Sequence, residues 1–195
     1  MDFKFEISDA AKIARSLVAF ANTKGGKLLV GVKDNGVIAG VRSEEEKFMI
    51  ENAAQRFCKP TVDFSTKEWS IGGKKVLEVN IPQSMVPPHK APDHKGLYKA
   101  FFRKDDQNHL ANGIMMKIWK KEKSNESITL SYDEDVQIIL KELDINKYAD
   151  QMTLQRITGL GKHFAEELIS NLIIMDLIEM DFVDERAVYK LKNLK

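Results

Sequence analysis

The chain has one cysteine, five prolines, two tryptophans and a net charge of only +1 in 195 residues. A single thiol, Cys58, excludes an internal disulfide, and a cytoplasmic protein is the simple expectation. Cys58 falls on an apolar helix pattern just before Pro60, with no Cys–His arrangement in the sequence around it. It reads as a small buried residue rather than a nucleophile. No apolar run approaches the roughly 20 residues of a membrane span. Met1 to Glu6 lacks the apolar core of a signal peptide. Nucleotide-binding fingerprints are missing as well. There is no Gly-x-Gly-x-x-Gly, and the glycines in Asn22 to Lys27 follow a helix and precede a strand. A P-loop has the reverse order, so neither ATP nor another cofactor is expected. Four of the five prolines crowd residues 82–95, which excludes a central strand there.

The small net charge hides an asymmetry. Residues 1–125 carry 22 basic and 15 acidic side chains, and residues 126–195 carry 8 and 14. Such a split points to two domains with different partners. The basic part suits a polyanion, although a solvated lysine face would have the same composition.

What is present is a dense run from Ser16 to Gly36. Leu17, Phe20 and Ala21 continue the helical spacing of Ile13 and Ala14. Ser8 is the expected N-cap of a helix over about 9–22. Asn22 to Gly26 can then leave the helix, because Asn and Gly tolerate the left-handed conformation. Leu28, Val30 and Val32 alternate as a strand. Asp34-Asn35-Gly36 supplies a tight turn, with Val37 to Val41 expected to return as the partner strand. Ser43 is the expected cap of the next helix, whose apolar side is Phe48, Ile50, Ala53, Ala54 and Phe57. Strands are expected at 62–69, 74–81 and 96–103, and a helix at 112–121. The order predicts an α+β domain with a mixed sheet. A polar linker is read at 120–127. Helices at 133–143, 152–157 and 162–175 follow, then a hairpin from 178–182 to 187–191. That order is expected of a winged helix, a helix-turn-helix variant. The domains are therefore read as 1–123 and 128–195.

Ala19 to Thr23, Gly25, Gly26, Gly31, Val32 and Asp34 form one ordered signature. Asp2-Phe3-Lys4 precedes it. Pro87-Pro88-His89, Leu97 to Arg103, Asp106 to Asn108 and Ala111-Asn112 follow in order. This set resembles the AlbA-type domain shared with Schlafen proteins, a domain associated with DNA binding, over residues 1 to 120. The resemblance implies an AlbA/Schlafen-like fold and a nucleic-acid partner, DNA before RNA, in transcriptional regulation or a related process. Lys4, Lys12, Arg15, Lys24, Lys27 and Arg103 are the candidate phosphate contacts, since cations release counterions from a nucleic acid. Lys90, Lys95, Lys99 and Lys104 form a second basic group. Asn22, Thr23, Gly25 and Gly26 would shape the turn that presents the cations. Phe3, Tyr98, Phe101 and Phe102 could stack on bases if exposed, but core positions are expected.

Two other readings stay open. Some Schlafen-type relatives cleave RNA at a metal-binding site of three carboxylates. Carried over, two of these would be Asp2 and Asp34, and the first has no counterpart here. Divalent metal is implied only under that alternative. Asp34 also has a full explanation as a turn residue. An enzyme is therefore not the expected outcome. His89, His94 and Asp93 lack the count and spacing of a metal site and read as surface residues. The other reading is a protein-interaction adaptor. The third helix of the second domain carries Glu166 and Glu167 after Lys162 and His163, and its presumed wing holds Asp184 and Glu185 beside Arg186. Such acidity repels phosphate, so this domain is expected to dock protein or self-associate. Convergence of Arg156, Lys162, Lys190 and Lys192 on one face would overturn that.

Overall fold

Helix α1 (Ala10–Ala21) is buried on nearly every side: Ala14, Leu17, Val18 and Ala19 have no exposed surface. Lys12 reaches solvent, but the rest of the helix is so largely apolar that it has to be enclosed, and in the computed structural model it forms the centre of the first unit. The structure describes residues 1–41, 44–124 and 127–192. The chain divides into two units, Met1–Ala111 and Asn112–Lys195.

The first unit is α+β. Strands β1 (Asp2–Lys4), β2 (Gly26–Val30), β3 (Ser65–Ile71) and β4 (Lys74–Ile81) make a mixed sheet in the order β1-β2-β4-β3. β1 runs parallel to β2, and the other pairs are antiparallel. Leu28, Val30, Leu77, Val79 and Ile81 bury one face in the same core as α1. The opposite face carries Phe3, Leu29, Trp69 and Val76 around an open apolar groove. A second, antiparallel sheet, β5-β6-β7, comprises Lys90–Pro92, Tyr98–Lys104 and Gln107–Leu110. Helix α2 (Glu45–Asn52) widens into a π turn over Ala53–Phe57.

Several local expectations are corrected. Asp9, not Ser8, caps α1, its carboxylate accepting from the Lys12 amide at 3.1 Å. The return strand at Val37–Val41 reduces to a single bridge, Val32 with Ile38, because β4 and β1 already take both edges of β2. Residues 107–110 form β7, a strand that was not expected between the strand at 96–103 and the helix at 112–121. Ser43 lies outside the described residues.

In the second unit, α3 (Gly113–Ser124) runs through the first part of the expected linker and packs on α6 (Lys162–Ile174). α4 (Glu134–Asn146) and α5 (Gln151–Thr158) begin at the carboxylates of Asp133 and Asp150, each accepting a backbone amide. Gly159 ends α5 in the left-handed conformation. β9 (Ile178–Val183) and β10 (Arg186–Leu191) form the closing hairpin. A short β8 (Ala149–Asp150) pairs with the free side of β10. No helix among the described residues is long and apolar enough to cross a membrane.

Candidate nucleic-acid interface

The signature residues after α1 face inward. Asn22 is only 6% exposed. Its amide donates to the carbonyls of His89 and Phe101, both at 2.8 Å, and its side-chain oxygen accepts the His89 amide at 2.7 Å. Thr23 donates to the Ala19 carbonyl at 2.8 Å and accepts the Arg103 amide at 2.9 Å. These two side chains tie the helix end to the proline-rich segment and to β6. A neutral amide suits this task, because it satisfies buried backbone donors and acceptors without burying charge. Gly25 has φ +69°, and a Cβ there would lie 2.6 Å from the Ile81 carbonyl oxygen. A Cβ on Gly26 would clash with the Phe20 ring. Both glycines are therefore required by close approach.

The candidate cations divide between the two ends of α1. Lys4, Lys12 and Arg15 line a cleft of about 320 Å³ at its start, together with Asn108, Ile13 and Phe101. Lys24 and Lys27 follow its end, separated by the helix length of roughly 18 Å at 1.5 Å per residue. Lys27 pairs with Glu78 at 2.9 Å, and that bond, followed by one from Trp69, holds the Glu78 carboxyl below its usual range. Lys4 pairs with Asp2 at 3.1 Å.

Arg103 is turned inward, its side chain 7% exposed. It stacks on Phe20, donates to Asn108 Oδ1 at 2.8 Å, and approaches Asp2 at 3.7 Å. Asn108 in turn donates to Ser16 at 3.0 Å. Nε and Nη2 of Arg103, and Nε of Arg15, are buried without a hydrogen-bond partner. Sequence reasoning placed Asn108 in a motif and Ser16 at the start of the signature run but missed their pairing with each other and with Arg103, because a single polar residue in a strand or helix carries no periodic signal.

The two carboxylates of the nuclease alternative are placed differently. Asp2 opposes Leu28 in the β1–β2 ladder and faces two cations. Asp34 is exposed in the turn closed by the Gly36 amide on the Lys33 carbonyl, beyond the far end of β2. Among the described residues no three metal-ligating side chains form a cluster. A metal at Asp2 would have to displace Lys4 and Arg103, so these residues do not fit the group.

His89 is corrected from a surface residue to a buried one, 4% exposed. Its Nδ1 donates to the Pro60 carbonyl at 2.9 Å, and Nε2 lies 2.6 Å from Ser84 Oγ. His94 is exposed, and Asp93 caps its own turn by accepting from Lys95 and Leu97. Phe101 and Phe102 are buried. Lys59 sits over the half-buried Tyr98 ring, and Phe3 lines the open groove. Burial pushes the Cys58 thiol up to about 12.

In the second unit, the acidic residues of α6 turn toward α3. Glu166 is buried against Gly113. Glu167 pairs with Lys117 at 3.2 Å and with Lys121, whose hydrogen bond is the main cause holding this carboxyl below its usual range. Lys190 pairs with Asp181 and Glu179, and Lys192 with Asp176.

A mixed sheet on a largely buried helix, with a helix–turn–strand signature stapled by Asn22 and Thr23, defines the first unit as an AlbA-like α+β domain. The family model for Schlafen, AlbA_2 matches residues 1–112, and the chain belongs to that family. Two similar solved structures are more distant. One is the DIP2311 protein of Corynebacterium diphtheriae, 18% identical with a TM-score of 0.48, covering 80% of this chain. The chain spans only 31% of that protein's length. The other is the N-terminal domain of a RecG-related protein of Nitrosomonas europaea, 19% identical with a TM-score of 0.39, covering 68% of this chain and 85% of that domain.

Proposed function

We propose that this chain binds nucleic acid, DNA in preference to RNA, and acts without a catalytic step in transcriptional regulation or a related process in the cytoplasm. The observation that carries this reading is the gathering of Lys4, Lys12 and Arg15 around one cleft. A phosphate oxygen in the cleft can accept from the exposed Lys12 amine in a charge-assisted bond. Family membership supports the same reading. Lys24 and Lys27 extend the contact beyond the other end of α1. Arg103 acts from within by holding Asn108. Asn22, Thr23, Gly25 and Gly26 fix the turn, and Asp34 belongs to the next turn. No cofactor is required.

The second unit is proposed as a winged helix. Helix α4, the short strand β8, helices α5 and α6 and a closing hairpin, in that order, support it. Its role is docking to protein or to a second copy. Lys190 and Lys192 are held by acids, which leaves Arg156 and Lys162 without the basic face a groove reader needs. Phe164 and Met152 are exposed apolar side chains on that unit.

Fluorescence anisotropy on labelled duplex DNA and single-stranded RNA, across a salt series with and without Mg2+, tests the reading. Binding that falls steeply with salt, with probes intact on a gel, is the expected result. Degraded RNA moves the assignment to the nuclease. No binding at low salt leaves the adaptor.

A further inference from the structure

We infer that Ser84 and His89 form a hydrolytic dyad, a second site in the first unit that takes a small neutral acyl ester. It goes beyond the nucleic-acid reading, in which no strand is cut, and does not depend on it. Ser84 Oγ lies 2.6 Å from Nε2 of His89, and Nδ1 of the same ring lies 2.9 Å from the Pro60 carbonyl oxygen. A carbonyl only accepts, so the ring proton sits on Nδ1. Nε2 of the neutral ring is then an acceptor, and the Ser84 hydroxyl donates to it. Nucleophile, base and orienting group stand in this relation in serine hydrolases, where the third member is usually a carboxylate rather than a backbone carbonyl. Both catalytic side chains are anchored. The Ser84 amide donates to the Ala21 carbonyl at the end of α1 at 2.8 Å, and Oγ accepts the Val86 amide at 3.1 Å. The His89 amide is held by Asn22. His89 is buried, whereas Ser84 is half-buried.

Both side chains line one cavity of about 380 Å³, within the range of small-molecule pockets. Pro60, Pro82, Met85 and Val86 supply apolar lining for an acyl chain. Among the described residues that line it, Asp63 alone carries a full charge. That carboxylate repels phosphodiesters and other anions, so the cavity selects an uncharged ester over a nucleic acid. In the first step Ser84 Oγ bonds to the acyl carbon, and its proton passes to His89 Nε2. The ester C–O bond then breaks, and the leaving alcohol takes that proton. In the second step water gives one proton to Nε2 and attacks the acyl carbon. Oγ leaves with the proton from Nε2, and the carboxylic acid is released. The sum is ester plus water to acid plus alcohol. Ser84 and His89 are the catalytic residues, and the Pro60 carbonyl is a positioning group.

The test treats the full chain with p-nitrophenyl butyrate and, separately, with a fluorophosphonate probe followed by peptide mapping. Continuous release of p-nitrophenol and a phosphonyl group on Ser84 are the expected results. Ser84→Ala leaves the His89–Pro60 bond in place, so it is expected to melt as the parent does while losing about 100-fold or more in rate, the lower size of a general-base contribution. His89→Gln, checked by its melting curve, is expected to slow labelling of Ser84 to the same degree. Bis(p-nitrophenyl) phosphate, an anionic diester, is expected to leave Ser84 unmodified. Ester hydrolysis by folded Ser84→Ala at the parent rate overturns the proposal, and so does a probe adduct found on other residues but not on Ser84. Equal labelling of Ser84 in folded His89→Gln protein overturns the dyad. Turnover of the anionic diester at Ser84 overturns the choice of a neutral ester.

Discussion

Asn22 in the first unit and Lys121 in the second do similar mechanical work with different chemistry. Each is a buried polar side chain that joins segments far apart in sequence. Asn22 is neutral and makes three bonds to backbone groups, all short and all internal. Lys121 is charged, with its side chain 10% exposed, and it relies on Glu167, Ser170 and Asn171 of α6. Salt and pH leave an amide staple untouched, whereas a lysine staple depends on the ionisation of its partner. The first unit can therefore hold its turn rigid under conditions that loosen the α3–α6 pair.

The largest expected effect breaks the neutral staple. Asn22→Ala strands two carbonyls and an amide and should cost about 3 kcal/mol, given roughly 1–3 kcal/mol per buried group left unsatisfied. Denaturant unfolding gives the value, and hydrogen exchange should place the loosening at residues 87–103. Asn22→Asp should be no milder, because it sets a carboxylate against the carbonyls of His89 and Phe101.

Breaking the charged staple should cost less. Lys121→Met leaves Glu167 with Lys117 and with solvent, its side chain being 41% exposed. A loss of about 1–2 kcal/mol is expected, below the 3–5 kcal/mol of a fully buried pair. Urea unfolding followed at α3 reports it. A loss as large as that of Asn22→Ala would erase the contrast between the units.

Acid sharpens the contrast. The Glu167 carboxyl is held below its usual 4.5, first by its hydrogen bond to Lys121. A depressed folded pKa contributes stability that is present above the unfolded value and is lost as pH falls through the folded one. Hydrogen exchange at pH 7 and at pH 3 should therefore show α3 and α6 opening more than the Asn22 turn. Equal opening would count against the assignment.

The smallest effect concerns Cys58. With its thiol pushed up to about 12 by burial, it should react slowly with a thiol reagent at pH 8 and rapidly in urea. Fast native labelling would mean that the first core opens easily.

Local pattern carried much of the fold. The alternation of Leu77, Val79 and Ile81 marks β4, and the run from Ile13 to Ala21 marks α1. The double glycine marks a turn, since φ +69° at Gly25 belongs to the local backbone. The Val37–Val41 strand failed for a physical reason: an Asn-Gly turn permits a hairpin, but ladder partners are chosen by competition among all strands. β7 stayed hidden because Gln107-Asn-His-Leu110 has neither clear alternation nor β-branched residues.

For the candidate site, the sequence determined which side chains are cations, and the family signature determined the domain. Only the tertiary structure decided where they go. It gathered Lys4, Lys12 and Arg15 around one cleft, left Lys24 and Lys27 at the other end of α1, and turned Arg103 inward. It also made Asn22 and His89 buried partners across 67 residues. Composition and period are properties of neighbours along the chain. Burial and pairing depend on contacts that exist only once distant segments have packed.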